Sequence, residues 1–296
     1  MSTRTDRLAE ALREDGVDAF LAWNHLATGY LTNFWEHPHR RFSLLAIAAD
    51  GRVAFILPAL GATTASEAGI LDLRPWSDND DPVVLFSRLA EEWDLAGGIL
   101  AVDDDMPTRM LLPMQASLPA ALFRSGGSLL ARSTRRKEAE EVELFERASA
   151  AIDAVYQEIL PTLRPIRMRA HHVEPSFSIV AGGPNSAKPH HAPTGRPIAS
   201  GEVLLLDFGG SYQRYHADIT RVVHLGPAPG TVREAYDAVY QAHEGARTQI
   251  RPGTTGGQAD AFARDLLTQR GMADLFVHRL GHGIGLSEHE EPYLVS

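Results

Sequence analysis

The residue types and spacings best suited to chemistry begin with two aspartates in the segment Val203-Leu-Leu-Leu-Asp207-Phe-Gly-Gly-Ser-Tyr-Gln-Arg-Tyr-His-Ala-Asp218-Ile-Thr-Arg221. An apolar strand ends in Asp207, a glycine-containing turn follows, and a second strand carries Asp218 near its start. A hairpin centred between Tyr212 and Gln213 sets Asp207 directly opposite Asp218. Cross-strand Cβ atoms lie about 4.5–5.5 Å apart, a distance at which like charges are destabilising. A divalent cation between the two carboxylates converts that repulsion into ligation. In the plainer alternative Asp207 makes a turn and Asp218 caps a strand or pairs with Arg221, and spacing alone leaves both open.

A second segment, Phe276-Val-His278-Arg-Leu-Gly-His282-Gly-Ile-Gly-Leu-Ser-Glu-His289-Glu-Glu-Pro292, holds three histidines. Glycines on both sides of His282 present an imidazole where backbone must approach closely. A neutral imidazole beside two carboxylates makes a mixed nitrogen and oxygen donor set, suited to manganese, cobalt, iron or zinc. Gly281, Gly283 and Gly285 do not have the G-x-G-x-x-G spacing of a nucleotide loop. The loop Ala181-Gly-Gly-Pro-Asn-Ser-Ala-Lys-Pro-His190-His191-Ala-Pro-Thr194 sets a histidine pair just before the Asp207 strand. A surface histidine pair is commonplace, so this loop alone is weak evidence.

These groups need rigid elements to hold them. Leu8, Ala11 and Leu12 fit a short helix that Gly16 ends before a strand over 18–23. Asp50-Gly51 marks a hairpin between the apolar runs 44–49 and 53–57. Helices over 82–93 and 107–116 enclose a strand over 99–103, so the first part reads as an α/β unit. From Thr134, taken as a helix cap, a long helix buries Leu144, Ala148, Ile152, Val155 and Ile159, and its charge run reads as a solvated face. Strands follow over 176–181, 203–207 and 215–224, then helices over 231–250 and 255–269 divided by Pro252-Gly253. The division falls into domains 1–131 and 132–296.

The 296 residues, 44% hydrophobic and 22% charged, suit an ordinary two-domain globular protein. A net charge of −10 with no basic cluster argues against nucleic acid as a partner. The absence of cysteine excludes disulfides, thiolate metal sites and cysteine nucleophiles. The polar N-terminus lacks a signal-peptide core, and the apolar stretch 44–60 is broken by Asp50-Gly51-Arg52. The sequence reads as cytoplasmic, with no membrane partner.

Taken in order, these segments resemble the creatinase/prolidase/aminopeptidase P group of metallopeptidases with the pita-bread fold. The likeness rests on Arg136-Lys137-x-x-Glu140, the Pro-Asn-Ser-Ala-x-Pro-His loop, Asp207, Asp218-Ile-Thr-Arg and His-Arg-Leu-Gly-His-Gly-Ile-Gly-Leu. Residues 1–131, with Tyr30-Leu-Thr-Asn-Phe34, resemble the group's creatinase-type N-terminal domain. The resemblance implies an α/β fold and a site for two divalent ions (Mn, Co, Zn or Fe). Asp207 holds one ion, Asp218 bridges both and His282 holds the second. A metal-bridging hydroxide then attacks the scissile carbonyl. It further implies catalytic roles for His190 and His289, substrate binding by His278 and His289, Xaa-Pro peptides as substrates, and a homodimer.

Two departures accompany the likeness. The group's two further glutamate ligands lie beyond the Gly-His-Gly segment, and after His282 this sequence offers only Glu288, Glu290 and Glu291, in a His-Glu-x-Pro stretch that does not supply them. The expectation is a pita-bread domain lacking its C-terminal part, with an incomplete site, an exposed sheet edge and uncovered apolar surface. The connection from Leu163 to Ser176 is also short for the group. Two alternatives therefore accompany the Xaa-Pro peptidase: a non-catalytic binding module or pseudo-enzyme, and a metal-free creatinase-like hydrolase.

Overall fold

The computed structural model describes residues 3–35, 41–159, 174–188, 191 and 194–295. The chain divides into two units, Met1–Arg136 and Lys137–Ser296.

In the first unit, α1 (Arg4–Glu14) starts at a capping box in which Thr3 and Asp6 satisfy each other's backbone N–H. It buries Leu8 and Leu12, and Gly16 then turns the chain at φ 62°. That turn feeds β1 (Ala19–Ala22), apolar along its length because it lies inside a sheet covered on both faces. The sheet runs β4-β3-β2-β1-β5-β6, with β2 (Leu44–Ala48), β3 (Val53–Pro58), β4 (Asp72–Trp76), β5 (Ile99–Val102) and β6 (Leu122–Ser125). The expected Asp50-Gly51 turn joins β2 to β3, with Gly51 at φ 93°. Phe86 and Leu89 of α4 (Pro82–Glu92) and Met110 and Met114 of α5 (Thr108–Ser117) pack on Leu21, Leu44, Ile56 and Leu100. The expected cap at Thr134 is corrected: Thr134 ends a separate helix, Gly127–Thr134.

Helices α2 (His25–Thr32), α3 (Ala62–Glu67) and α6 (Gly127–Thr134) complete the first unit, and the second opens with α7 (Ala139–Ile159). It lies along a sheet of β7 (Glu174–Gly182), β8 (Val203–Tyr212) and β9 (Tyr215–His224), ordered β7-β8-β9 and antiparallel throughout. Ala148, Ile152 and Val155 of the expected stripe are buried against Leu204, Leu206, Phe208, Ala217 and Ile219, while Leu144 is half-buried. The side chain of Ile159 and most of the connection from Leu163 to Ser176 lie outside the described residues. The charge run is not wholly solvated. Glu141 is buried, accepting a hydrogen bond from Tyr215 Oη at 2.9 Å and one from Glu138 N at 2.8 Å, so it closes the helix start against the sheet.

The helices α8 (Gly230–Gln249) and α9 (Gly256–Gln269) pack through Ala238, Ala242, Ala246, Ala263 and Leu267, and lead to the pair β10 (Gly281–Gly283) and β11 (Glu290–Leu294). Among the described residues β9 pairs only with β8. Between β9 and α8 lies a cavity of about 850 Å³ lined by Val222, Tyr236, Val239 and Tyr240. The expected open sheet edge and uncovered apolar surface are both present there. Among the described residues no helix is long and apolar enough to cross a membrane.

Candidate active site

Because α7 takes one face of the three-stranded sheet, alternation sends the intervening side chains of β8 and β9 to the other. Asp207, His216, Asp218 and Thr220 share that second face. Two sequence expectations are corrected here. β8 does not end at Asp207 but runs on through Gly209 and Gly210 to Tyr212, and the turn is Gln213-Arg214, both at positive φ (46° and 75°). The hairpin is therefore centred one residue later than expected, and Asp207 faces Thr220 while Asp218 faces Gly209. The two carboxylates are diagonal neighbours on one face. Gly209 is needed as glycine, since a Cβ there would lie 2.5 Å from the Phe177 ring and 2.8 Å from Ala217 O.

Thr220 Oγ1 donates to Asp207 Oδ1 at 2.8 Å and so orients that carboxylate. Arg221 does not pair with Asp218; it points to Thr220 O at 2.9 Å and to Asp153 at 3.8 Å. The plainer reading of Asp218 as an Arg221 partner is thereby set aside.

His282 sits in β10 opposite Tyr293, at a point where the ladder shifts register. A Cβ on Gly283 would run into the backbone of Glu290 and Glu291, so the close approach expected of these glycines is real on that side. His282 Nδ1 donates to Gly283 O at 2.9 Å, which in the neutral ring leaves the lone pair on Nε2. The His289 ring stands edge-on to that of His282, centroids 4.0 Å apart. His278 is exposed and keeps to its own segment, with Nδ1 on Arg279 O and the ring against Phe276; no described contact joins it to Asp207, Asp218 or His282. His190 lies outside the described residues.

The Asp218 carboxyl is pushed up to about 6, first by partial loss of surrounding solvent, then by the negative charge of Asp207; His282 pulls it down, and Glu288 pushes it up further. Asp218 is exposed, so this is a carboxyl on an open sheet face rather than one sealed in a core. His216 is pulled below its ordinary value, first by burial, against the opposing pull of Glu288 and Glu290. In donor type, two carboxylates and an imidazole with an outward Nε2 fit a divalent ion of the manganese-to-zinc group. Their spacing is looser than their chemistry: among the described residues no three His, Asp or Glu side chains form a group that could hold a metal ion as they stand.

Several supporting residues escape a motif-based reading. Asp260 of α9 is fully buried, accepts from Arg264 at 2.6 and 3.0 Å and from Leu280 N at 3.1 Å, and is held well below the usual carboxylate range by Arg264. Arg264 also donates to Phe276 O and His278 O at 3.0 Å each. This pair sets the path of the segment leading into His282. Its signal in the sequence is the i,i+4 spacing of Asp260 and Arg264 on a helix. Lys137 pairs with Glu290, tying the start of the unit to β11. His216 Nδ1 lies 3.1 Å from Ser176 Oγ and 4.0 Å from Glu288, and its two-residue spacing from Asp218 on a strand was the available clue.

A mixed α/β chain with paired acids on a hairpin and a glycine-flanked histidine beside them defines a hydrolase of the pita-bread metallopeptidase class. Residues 137–296 match Metallopeptidase family M24, and residues 4–136 match the Creatinase/Prolidase N-terminal domain. The chain is 37% identical to a protein named "Probable dipeptidase PepE" from Mycobacterium tuberculosis, over 95% of this chain and 80% of that one. It is 27% identical to the Xaa-Pro dipeptidase of Lactobacillus helveticus, over 98% and 84% of the two chains. The crystal structure of a dipeptidase from Pyrococcus horikoshii OT3 superposes with a TM-score of 0.91 at 30% identity, covering 99% of this chain and 85% of that one. The chain belongs to Metallopeptidase family M24.

Proposed function

We propose that this protein is a metal-dependent peptidase of the Xaa-Pro dipeptidase type. The observation that carries the reading is the shared electrostatic neighbourhood of Asp207, Asp218 and His282 within a unit matching family M24. Membership of a metallopeptidase family implies a divalent metal cofactor, and relatives named as dipeptidases support short peptides as substrates. In this reading Asp207 and Asp218 offer carboxylate oxygens and His282 offers Nε2 to the metal. When bound there, a divalent cation supplies Lewis-acid polarisation of the scissile carbonyl and makes water more acidic.

The chain's own groups do the rest. Thr220 keeps Asp207 turned to the site, and the Asp260–Arg264 pair steers His282 toward it. In this reading His289, whose ring stands edge-on to that of His282, donates a proton or hydrogen bond to the substrate, and a place for His278 in the substrate pocket rests on the family resemblance alone. A catalytic contact from His190 rests on the family resemblance, as do a homodimer and two ions of the manganese, cobalt, zinc or iron type.

The second reading is a peptide-binding module without turnover. Release of proline from alanyl-proline separates the two. The peptidase reading expects turnover with manganese that is lost on chelation and in Asp218→Asn. Turnover that survives the chelator contradicts it, and binding of the dipeptide without turnover under any metal establishes the second reading.

A further inference from the structure

We infer that Lys137 and Glu290 are positioning residues whose ion pair holds the His289 ring against that of His282; what His289 then does rests on the peptidase reading above. Glu290 follows His289 directly and opens β11, while His282 lies in β10. The loop over residues 284–289 must therefore fold back for the two rings to meet. Gly285 N donates to Ser287 O at 3.0 Å, closing a tight turn, and His216 N donates to Gly285 O at 2.9 Å, fastening that turn to β9. The far end of the loop is held by the pair between Glu290 and Lys137, which stands just before α7.

The glycines of this segment make room for Glu290. A Cβ on Gly285 would run into both of its carboxylate oxygens, and one on Gly283 would lie 2.8 Å from its backbone oxygen. The Gly283-x-Gly285 spacing, which suits no nucleotide loop, is thus a cradle for one acid. The Lys137 and Glu290 side chains are only 17% and 15% exposed, so removing either charge strands the other away from water, unlike the loss of a surface pair. Lys137 is itself held in place. Its ammonium lies 5.9 Å from the centre of the Phe145 ring on α7, within cation–π reach, and that ring stands edge-on to Tyr215 at 5.3 Å. A cation fixed against α7 and the head of β9 sets where Glu290 comes to rest, and with it the backbone that bears His289. The ring of His289 is thereby referred to the same strand that carries Asp218.

The test follows the ring pair and the reaction separately in the full chain. The first readout is the nuclear Overhauser cross-peak between the ring protons of His282 and His289 in histidine-labelled, metal-free protein. The second is kcat and KM for alanyl-proline with manganese. Lys137→Met keeps the aliphatic bulk and removes the cation. It is expected to lose the cross-peak and to lower kcat by about 10–100-fold, the scale of a misplaced catalytic group, with KM changed by less than about twofold. Lys137→Arg keeps the cation and is expected to recover the cross-peak and most of the rate. If Lys137→Met fails to fold, Gly285→Ala takes its place, because its Cβ displaces the same carboxylate while leaving both charges, and the same losses are expected. A cross-peak or a kcat undiminished in the folded variant, a loss as large in Lys137→Arg as in Lys137→Met, or no cross-peak in the unsubstituted chain overturns the inference. Absence of turnover in the unsubstituted chain counts against the peptidase reading alone, and the cross-peak then decides the inference.

Discussion

Asp207 and Asp218 stand on one face of the β8–β9 hairpin as diagonal neighbours, Asp207 facing Thr220 and Asp218 facing Gly209 across the ladder. Diagonal positions are about 7–8 Å apart between backbones, against about 4.5–5.5 Å for direct partners. The two carboxylates can therefore lean toward a shared ion without being forced into contact when none is bound. The residual repulsion shows in Asp218, and the consequences can be measured.

Without metal, Asp218 should weaken the fold as pH rises. Its folded-state value of about 6 lies above the ordinary 3.8, so between these values the folded chain binds more protons than the unfolded one and stability falls with rising pH. Asp218→Asn removes the charge. Discounted for solvent screening the gain is about 1 kcal/mol, or about 2–4 °C in the unfolding midpoint. Calorimetry of the chelated protein should show Asp218→Asn more stable than the unsubstituted chain at pH 7 and equal to it at pH 4; equal midpoints at pH 7 contradict the prediction.

Metal affinity should depend on pH in the opposite sense. Ligation needs the carboxylate, so manganese binding should weaken as pH falls through about 6. Titration calorimetry at pH 5 and 7 reads this directly, and a pH-independent affinity rules out Asp218 as a ligand.

Thr220→Val should weaken manganese binding without unfolding the chain. It removes the hydroxyl that orients Asp207, and loss of such a partner typically costs about 10–100-fold in affinity. An unchanged affinity with an unchanged unfolding midpoint would show that Asp207 needs no such support.

Asp260→Leu should destabilise the second unit. It leaves Leu280 N–H without its acceptor, at a cost of about 1–3 kcal/mol. Because Arg264 lowers the value of Asp260, the stability this carboxylate adds is present above its ordinary 3.8 and is lost as pH falls through the folded value. Chemical denaturation should therefore find the variant weaker at pH 7, with the gap narrowing in acid. A gap of constant size assigns the loss to packing instead.

Much of this arrangement is legible in the sequence, because local signals and tertiary structure agree. The apolar pattern of α1 and its end at Gly16, the Asp50-Gly51 hairpin and the apolar stripe of α7 all follow from residue type and period. The hairpin register was not legible. Gly209 and Gly210 looked like turn residues, yet they serve the strand interior, where the Phe177 ring crosses, while Gln213 and Arg214 take the left-handed conformations of the turn. A one-residue shift of the turn changed direct opposition into a diagonal. The buried Glu141 was hidden for another reason: a charge on a helix face reveals its Tyr215 partner only once the sheet is folded against it. Asp207, Asp218, His282 and His289 stand out in the sequence because type and motif coincide, whereas the approach of Glu288 to His216 shows only once the loop between β10 and β11 is folded over β9.

The measurement that most directly tests the account is the manganese content of the full chain after loading and desalting, beside Asp207→Asn, Asp218→Asn and His282→Ala prepared in the same way. The account predicts bound manganese in the unsubstituted chain and its loss in all three variants. Manganese retained undiminished in the variants, or absent from the unsubstituted chain, would contradict the claim that these residues form the metal site.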